Sequence, residues 1–308
     1  MAGPRPASRT AKALRPPDRV LPGIAMMAGF TAIVPASDVF AKLAAATLPI
    51  GVILLARFTV QAAVLIPLAA FGNHLARPAA HELAAHFLRA ALILGATGAL
   101  YTALRFMPLA DAIAIFFVEP FILTLLGSAL LGEGVGWRRL AACGAGFAGA
   151  LLIIRPSFAV FGPVALLPLM TALFFAFYMV LTRRISHRMH PIALQGWTAL
   201  AAMALMTMLL AVFRGSGAAP LEPVMPAGRE WLWLAGLGCL SALAHLLVSY
   251  ALRFAPAATI APLQYLEIVM ATLLGFAVFG DLPDLQTVAG IAIIVASGLY
   301  VFQRERRT

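Results

Sequence analysis

Long apolar blocks, separated by short polar or Pro/Gly-rich stretches, fill most of the chain between residues 22 and 302. Blocks of about 20 apolar residues match the thickness of the hydrocarbon core of a bilayer, and they are typical of membrane-spanning helices. Ten such blocks can be counted. Their approximate limits are 22–46, 50–71, 84–105, 108–131, 137–154, 162–182, 193–213, 231–252, 257–279 and 284–302. The pattern therefore predicts an all-α membrane protein with ten transmembrane helices.

Composition agrees with this pattern. Hydrophobic residues make up 62% of the 308 positions and charged residues only 11%, which is too little polar surface for a soluble protein. The net charge of +10 could suggest a nucleic-acid partner. The basic residues are however spread over loops and chain ends, so we expect membrane lipid and no nucleic acid as partners.

The distribution of Lys and Arg predicts the orientation, because cytoplasmic loops are enriched in both residues. With the N-terminus inside, 16 of the 22 fall in cytoplasmic segments and four fall outside, while Lys42 and Arg57 lie within spans. We therefore expect residues 1–21 and 304–308 to be cytoplasmic tails of a protein in the bacterial inner membrane.

An internal repeat divides the chain. Residues 103–133 align without gaps on 251–281, at an offset of 148, with 13 of 31 positions identical. The matches include Arg, Pro, Glu, Thr and Gly at fixed spacing, which two apolar helices would not share by composition alone. We therefore predict two homologous halves, residues 22–156 and 157–303. Five spans in each half would insert the second half upside down, and inverted repeats are a common transporter architecture.

These features resemble the ten-helix group of the drug/metabolite transporter superfamily, whose members carry two EamA-type domains. The marks are the duplicated Leu-Arg-Phe-x-Pro turn and the Gly-acid pairs at 132–133 and 280–281. Ser37-Asp38-x-x-x-Lys42 and Gln264-Tyr265-Leu266-Glu267 look like the branch with S-adenosylmethionine and riboflavin uptake carriers. Other members that resemble this chain export amino acids. The resemblance implies a secondary transporter for a small organic metabolite that works by alternating access.

Ionisable residues within spans are the candidates for binding, since they usually face a bundle interior or a water-filled cavity. Asp38 and Lys42 share one helix face, so Asp38 either pairs with Lys42 or presents itself with Ser37 to a solute or proton. Glu119 and Glu267 are equivalent in the repeat. They either bind a cationic group or a proton, or serve packing alone.

Further candidate residues accompany these carboxyls. Gln264 precedes Glu267 by one turn, and Phe116 takes its place in the first half. Tyr178, His245 and Tyr265 have polar atoms that need partners within the bilayer. Arg57 is interpreted as a structural pairing residue. Arg105 and Arg253 are interpreted as caps of helix ends or as contacts to lipid headgroups. We expect the site to lie between the halves, with spans 1, 3, 4, 6, 8 and 9 around it.

Other functional classes find less support. The sequence holds no P-loop, GxSxG or HExxH motif, and Cys143 and Cys239 have no CxxC partner. We therefore expect no cofactor and no metal, and coupling to an ion gradient, to exchange or to the solute gradient. A lipid-modifying membrane enzyme would need catalytic residues clustered at one interface, and a scaffold or sensor would have an appended soluble domain.

Overall fold

A computed structural model describes residues 20–75, 78–132, 136–153 and 161–280, with single positions between 288 and 300. Every regular element in these ranges is helical. The α-helices are α1 (Val20–Ala45), α2 (Ile50–Phe71), α3 (Ala80–Leu104), α4 (Leu109–Phe116), α5 (Glu119–Leu131), α6 (Trp137–Ile153), α7 (Leu166–Ser186), α8 (Pro191–Phe213), α9 (Glu230–Phe254), α10 (Ala257–Ile260) and α11 (Glu267–Phe279). Short 3-10 segments cover Gly162–Ala165, Ala219–Leu221 and Ala261–Leu266.

Seven of the described helical stretches are long and apolar enough to cross a membrane. The chain is therefore an all-helical, multi-pass membrane protein. Two further apolar stretches, Leu140–Gly149 and Leu263–Phe279, are shorter. The tenth predicted span, the two tails and the acids Glu133 and Asp281 lie largely or wholly outside the described residues, so the count of ten spans stays a prediction.

The fourth and ninth predicted spans are not continuous helices. The span at 108–131 divides into α4 and α5, and that at 257–279 divides into α10, a 3-10 segment and α11. Pro120 and Pro262 supply a reason, because proline has no N–H to donate to the preceding turn. The backbone tightens before Glu119, where the N–H of Val118 donates to the carbonyl of Ile115 at 3.4 Å. Both breaks lie directly before the repeated glutamates.

The other helices pack mainly against helices of the opposite half rather than against their neighbours in the sequence. α1 packs along α9, α3 along α7, and α2 along α8. Small residues permit these close contacts. A Cβ on Gly23 would lie 2.5 Å from the Cβ of Ala255, and a Cβ on Gly238 would lie 2.4 Å from that of Val60. The interface between halves therefore forms much of the protein interior.

Two of the arginines that were counted as cytoplasmic are buried in helices. Arg89 in α3 is fully buried, and Arg183 in α7 is 4% exposed and donates to the carbonyl of Leu252 at 2.6 Å. Removing both from the count leaves 14 cytoplasmic against four outside positions, so the direction of the charge bias is unchanged. The orientation of the termini remains a prediction.

Candidate functional site

A cavity of about 50 Å³ lies at the centre of the bundle, between both halves. Seven helices contribute to its wall. The lining residues are Phe30, Val34, Ser37, Asp38, Arg57, Ile93, Ala96, Thr97, Leu100, Phe116, Thr171, Phe175, Ser241, Ala244, His245 and Glu267. All six spans expected around the site are represented, and α2 adds Arg57. Ionisable groups and aromatic rings therefore share one cavity.

Charges of both signs face this cavity. Asp38 is 5% exposed and interacts electrostatically with Arg57, which is 3% exposed. Glu267, 2% exposed, interacts with Asp38 across the cavity. Because α1 contains Pro35 one turn before Asp38, the helix loses one backbone hydrogen bond beside this carboxyl. The site thus offers both an anionic and a cationic partner to a bound molecule.

Arg57 is held in place by two neutral groups. Its guanidinium donates to the Tyr101 hydroxyl and to Nε2 of His245, each at 2.8 Å. Since arginine can only donate, Nε2 of His245 must accept, and the proton of this imidazole therefore lies on Nδ1. That nitrogen lies 3.2 Å from the Tyr178 hydroxyl, which accepts from it.

The hydrogen bonds continue from Tyr178 into a second buried arginine. Arg89 donates to the Tyr178 hydroxyl at 3.1 Å and to the carbonyl of Leu194 at 3.1 Å, and it also bonds Thr198. The Tyr178 hydroxyl in turn donates to Oε1 of Gln195 at 3.1 Å. This chain of bonds joins α2 and α3 of the first half to α7, α8 and α9 of the second. It forms a rigid polar layer behind one wall of the cavity.

Five of the predicted site residues line the cavity: Ser37, Asp38, Phe116, His245 and Glu267. The hydroxyl of Ser37 donates to the carbonyl of Val34 within its own helix, at 2.8 Å. Tyr178 lies behind the wall, where it bonds His245.

The other three predicted residues lie away from the cavity wall. Glu119, Gln264 and Tyr265 are fully buried around the two helix breaks. The Tyr265 hydroxyl donates to the carbonyl of Cys143 in α6 at 3.1 Å, and its ring covers Gly146. The structure therefore separates the predicted set into a group at the cavity and a group at the breaks.

Sequence reasoning missed several residues of the cavity wall. Arg57 was interpreted as structural, and Thr97, Phe30 and Phe175 were not singled out. The internal repeat contained a usable signal, because the offset of 148 relates Thr97 to His245 and Phe30 to Tyr178. Arg89 was not considered as a site residue because it was counted among the cytoplasmic charges.

Lys42 and Arg105, two further charged positions, have local partners. Lys42 donates to the carbonyl of Met107 at 3.3 Å and lies 4.9 Å from the ring centre of Phe279. Arg105 donates to the carbonyls of Ala45 and Leu48, so it caps the end of α1 as expected. Within the described ranges, no group of three or more His, Cys, Asp or Glu residues could hold a metal.

Comparison with known proteins shows the family of this chain. The chain matches the EamA-like transporter family twice, over residues 21–155 and 162–303. A riboflavin transporter of Rhizobium johnstonii is 29% identical over 222 residues, covering 72% of this chain and 71% of that protein. The pseudopaline exporter CntI of Pseudomonas aeruginosa is 30% identical over 288 residues, covering 89% and 93%.

More distant relatives agree in fold and class. An S-adenosylmethionine uptake transporter of Rickettsia prowazekii is 24% identical over 225 residues, covering 72% of this chain and 73% of that protein. A crystal structure at 24% identity has a TM-score of 0.72 and covers 92% of this chain and 98% of its own. The resemblance to the drug/metabolite transporter superfamily is confirmed, and the chain is a small-metabolite transporter that belongs to the EamA-like transporter family.

Proposed function

We propose that this protein is a secondary transporter of the bacterial inner membrane, and that it moves a small metabolite bearing both an amino and a carboxylate group. The observation that carries this proposal is the pair of opposite charges, Asp38 and Arg57, on one cavity wall. An amino acid or a related compound has the matching charges. Its ammonium group would pair with Asp38 and its carboxylate with the guanidinium of Arg57.

The apolar part of such a solute would meet aromatic rings. Phe30, Phe116 and Phe175 line the same cavity, and Phe175 lies between the other two, with ring centres 6.4 Å from Phe30 and 5.8 Å from Phe116. Aromatic walls favour a planar or aromatic side chain. Because the ionisable groups surround an enclosed cavity rather than cluster at an interface, transport is favoured over chemistry on a lipid.

Alternating access is supported by the pattern of helix contacts. The repeat relates α1, α2 and α3 to α7, α8 and α9, and α4 and α5 to α10 and α11. Under this exchange the contact of α1 with α9 becomes that of α7 with α3, and the contact of α1 with α11 becomes that of α7 with α5. All four contacts exist, which is the pattern expected for two inverted halves, 22–156 and 157–303, within ten spans.

The size of the cavity favours an occluded conformation. A volume of about 50 Å³ is far below the roughly 300–1,000 Å³ of typical small-molecule sites. A solute must therefore enter through movement of the surrounding helices. The same movement would open the cavity to one side of the membrane at a time.

The relatives suggest a second candidate solute. A planar compound such as riboflavin would use the aromatic wall without the charge pair, whereas S-adenosylmethionine carries both amino and carboxylate groups. A thermal-shift screen of the purified protein against amino acids, S-adenosylmethionine, riboflavin and nucleosides separates these classes. We expect stabilisation by amino acids or S-adenosylmethionine.

Two variants test the site itself. Asp38→Asn and Arg57→Gln should each weaken binding of the stabilising compound by about tenfold or more, because a charged hydrogen bond contributes about 1.5–3 kcal/mol. Thr59→Val is the matched control, since Thr59 is exposed on α2 and bonds only its own helix. Unchanged affinity in both site variants, with folded protein, would contradict a solute site at this cavity.

Labelling of single cysteines tests the orientation. In a background without Cys143 and Cys239, a cysteine at Phe106 should label from outside and one at Phe254 from the cytoplasm. Labelling of both positions from one side would contradict the inverted repeat.

A further inference from the structure

The carboxyl of Glu119 is the most isolated acid in the described part of the chain. Its side chain is fully buried, and neither oxygen has a hydrogen bond of regular geometry to a described residue. The amide of Gln264 lies next to it and interacts with it, and both amide atoms also lack a regular hydrogen bond. Four polar atoms thus lie together in the protein interior, and neither residue is among those that line the cavity.

The described titratable groups that interact with this carboxyl carry no positive charge. Tyr265 from the 3-10 segment, Cys143 from α6 and Glu267 from α11 all interact with Glu119. The α10 segment, Ala257–Ile260, has no titratable side chain.

The cations with described side chains on the helices that pack against α5 have other surroundings. Arg183 of α7 bonds the carbonyl of Leu252, and Arg184 is exposed. Arg138 of α6 is exposed beside the ring of Trp137. Each of these side chains is therefore exposed or has a partner other than the Glu119 carboxyl.

An ionised carboxylate in such surroundings would be strongly unfavourable, because a buried charge needs a counter-ion or several hydrogen bonds. A neutral carboxylic acid removes this difficulty. Its O–H can donate to Oε1 of Gln264, and its carbonyl can accept from Nε2 of the same amide. A small adjustment of the two side chains would then satisfy all four polar atoms with one bound proton.

We propose that Glu119 and Gln264 form a proton-binding site that is separate from the solute cavity and that couples transport to a proton gradient. This inference rests on the proposed function. Glu119 begins α5 in the first half, whereas Gln264 lies in the 3-10 segment of the second half. Movement between the halves would separate acid from amide and admit water. The O–H bond of Glu119 then breaks, the proton passes to that water, and the carboxylate remains until the halves close again.

The second glutamate of the repeat serves as the internal contrast. Phe116 occupies the position equivalent to Gln264, so Glu267 has no amide at the matching place. Glu267 lines the cavity instead. Among the described residues, the repeat therefore pairs a glutamate with an amide at one of its two copies.

Infrared spectroscopy of the purified protein tests the site without any solute. Wild type at neutral pH should show a carbonyl band of a protonated carboxylic acid that Glu119→Gln lacks and that Asp38→Asn and Glu267→Gln retain. Gln264→Leu should shift the same band without removing it, because the acid loses its amide partner. If Glu119→Gln removes only a carboxylate band, or if Gln264→Leu leaves every acid band unshifted, the proposal is overturned.

Transport in proteoliposomes tests coupling, with a radiolabelled amino-acid mixture as the probe. Glu119→Gln should keep counterflow within about twofold of wild type and lose accumulation driven by a pH gradient. Retained gradient-driven accumulation would overturn the coupling role. Absence of counterflow in wild type would contradict the proposed solute class, and the infrared result would still decide whether Glu119 binds a proton.

Discussion

The two copies of the repeated segment, residues 103–132 and 251–280, share a backbone but differ in their surroundings. Pro108 and Pro256 begin the two copies with φ and ψ of −55° and 148°, and of −58° and 143°. Gly132 and Gly280 end them in the left-handed region, at φ of 65° and 76°. Between these points, each copy breaks and then resumes as a 13-residue helix that starts at the glutamate.

The surroundings of the two glutamates separate the copies. Glu119 is sealed beside Gln264, whereas Glu267 faces the cavity that also holds Asp38 and Arg57. One backbone design, a helix that restarts at a carboxyl, thus yields a dry site in one half and a solute-facing site in the other. The difference shows that the repeat determines where a carboxyl lies, while neighbouring side chains determine what it can bind.

The largest expected difference between the two glutamates concerns solute binding. Glu267→Gln should weaken binding of the compound found by thermal shift by about tenfold, because it replaces a carboxyl group that lines the cavity wall. Glu119→Gln should change affinity by less than about twofold, since Glu119 does not line the cavity. Isothermal titration of both variants measures the contrast, and equal losses would show that the two copies are equivalent in binding.

A second prediction concerns the packing that holds the break of the second copy. Gly146→Ala should lower the free energy of unfolding by about 1–3 kcal/mol, because its new Cβ would lie 2.4 Å from the Tyr265 ring. Gly144→Ala is the control, as no heavy atom lies within 4 Å of its Cβ position. Thermal unfolding in detergent compares the two. Equal midpoints would mean that Tyr265 can move aside freely.

The smallest expected effect concerns the arginines of the two turns. Arg105 donates to Ala45 at 2.9 Å and also to Leu48, while Arg253 has one long contact, 3.5 Å, with the carbonyl of Met189. Arg105→Ala should therefore cost about 1 kcal/mol of stability, and Arg253→Ala about half of that or less. The same unfolding experiment measures both. A larger loss of stability in Arg253→Ala than in Arg105→Ala would contradict this prediction.

Much of this fold could be predicted from the sequence, because the apolar blocks and the repeat are strong signals. The limits 50–71 predicted for the second span coincide with those of α2. The breaks before Glu119 and Glu267 could not be predicted in the same way. Hydropathy does not respond to a local loss of helix within an apolar stretch, and a proline at position 120 or 262 can also kink a helix without ending it.

The candidate site residues could be selected from the sequence. Their division into a group at the cavity and a group at the helix breaks could not. Asp38, His245 and Glu267 stood out because polar atoms are costly in a bilayer, and this argument holds equally for Glu119 and Gln264. Whether such a group lines a cavity or a sealed contact depends on packing across the halves, which one sequence does not specify. Arg89 illustrates the same limit, since four hydrogen-bond partners, Thr182, Leu194, Thr198 and Tyr178, hold this cation inside a span.

The exchange of Phe116 for Gln264 also bears on how such a protein can be assembled. A homodimer of residues 22–156 would place Phe116 at both equivalent positions, and it would contain neither Gln264 nor His245. In the inverted arrangement proposed above, it would also require one polypeptide to insert in two opposite directions. Fusion of two gene copies removes both constraints, because each half then has its own flanking charges and its own mutations. Divergence after such a fusion allows one molecule to keep a sealed carboxyl and an accessible one, which no symmetric dimer of a single half could do.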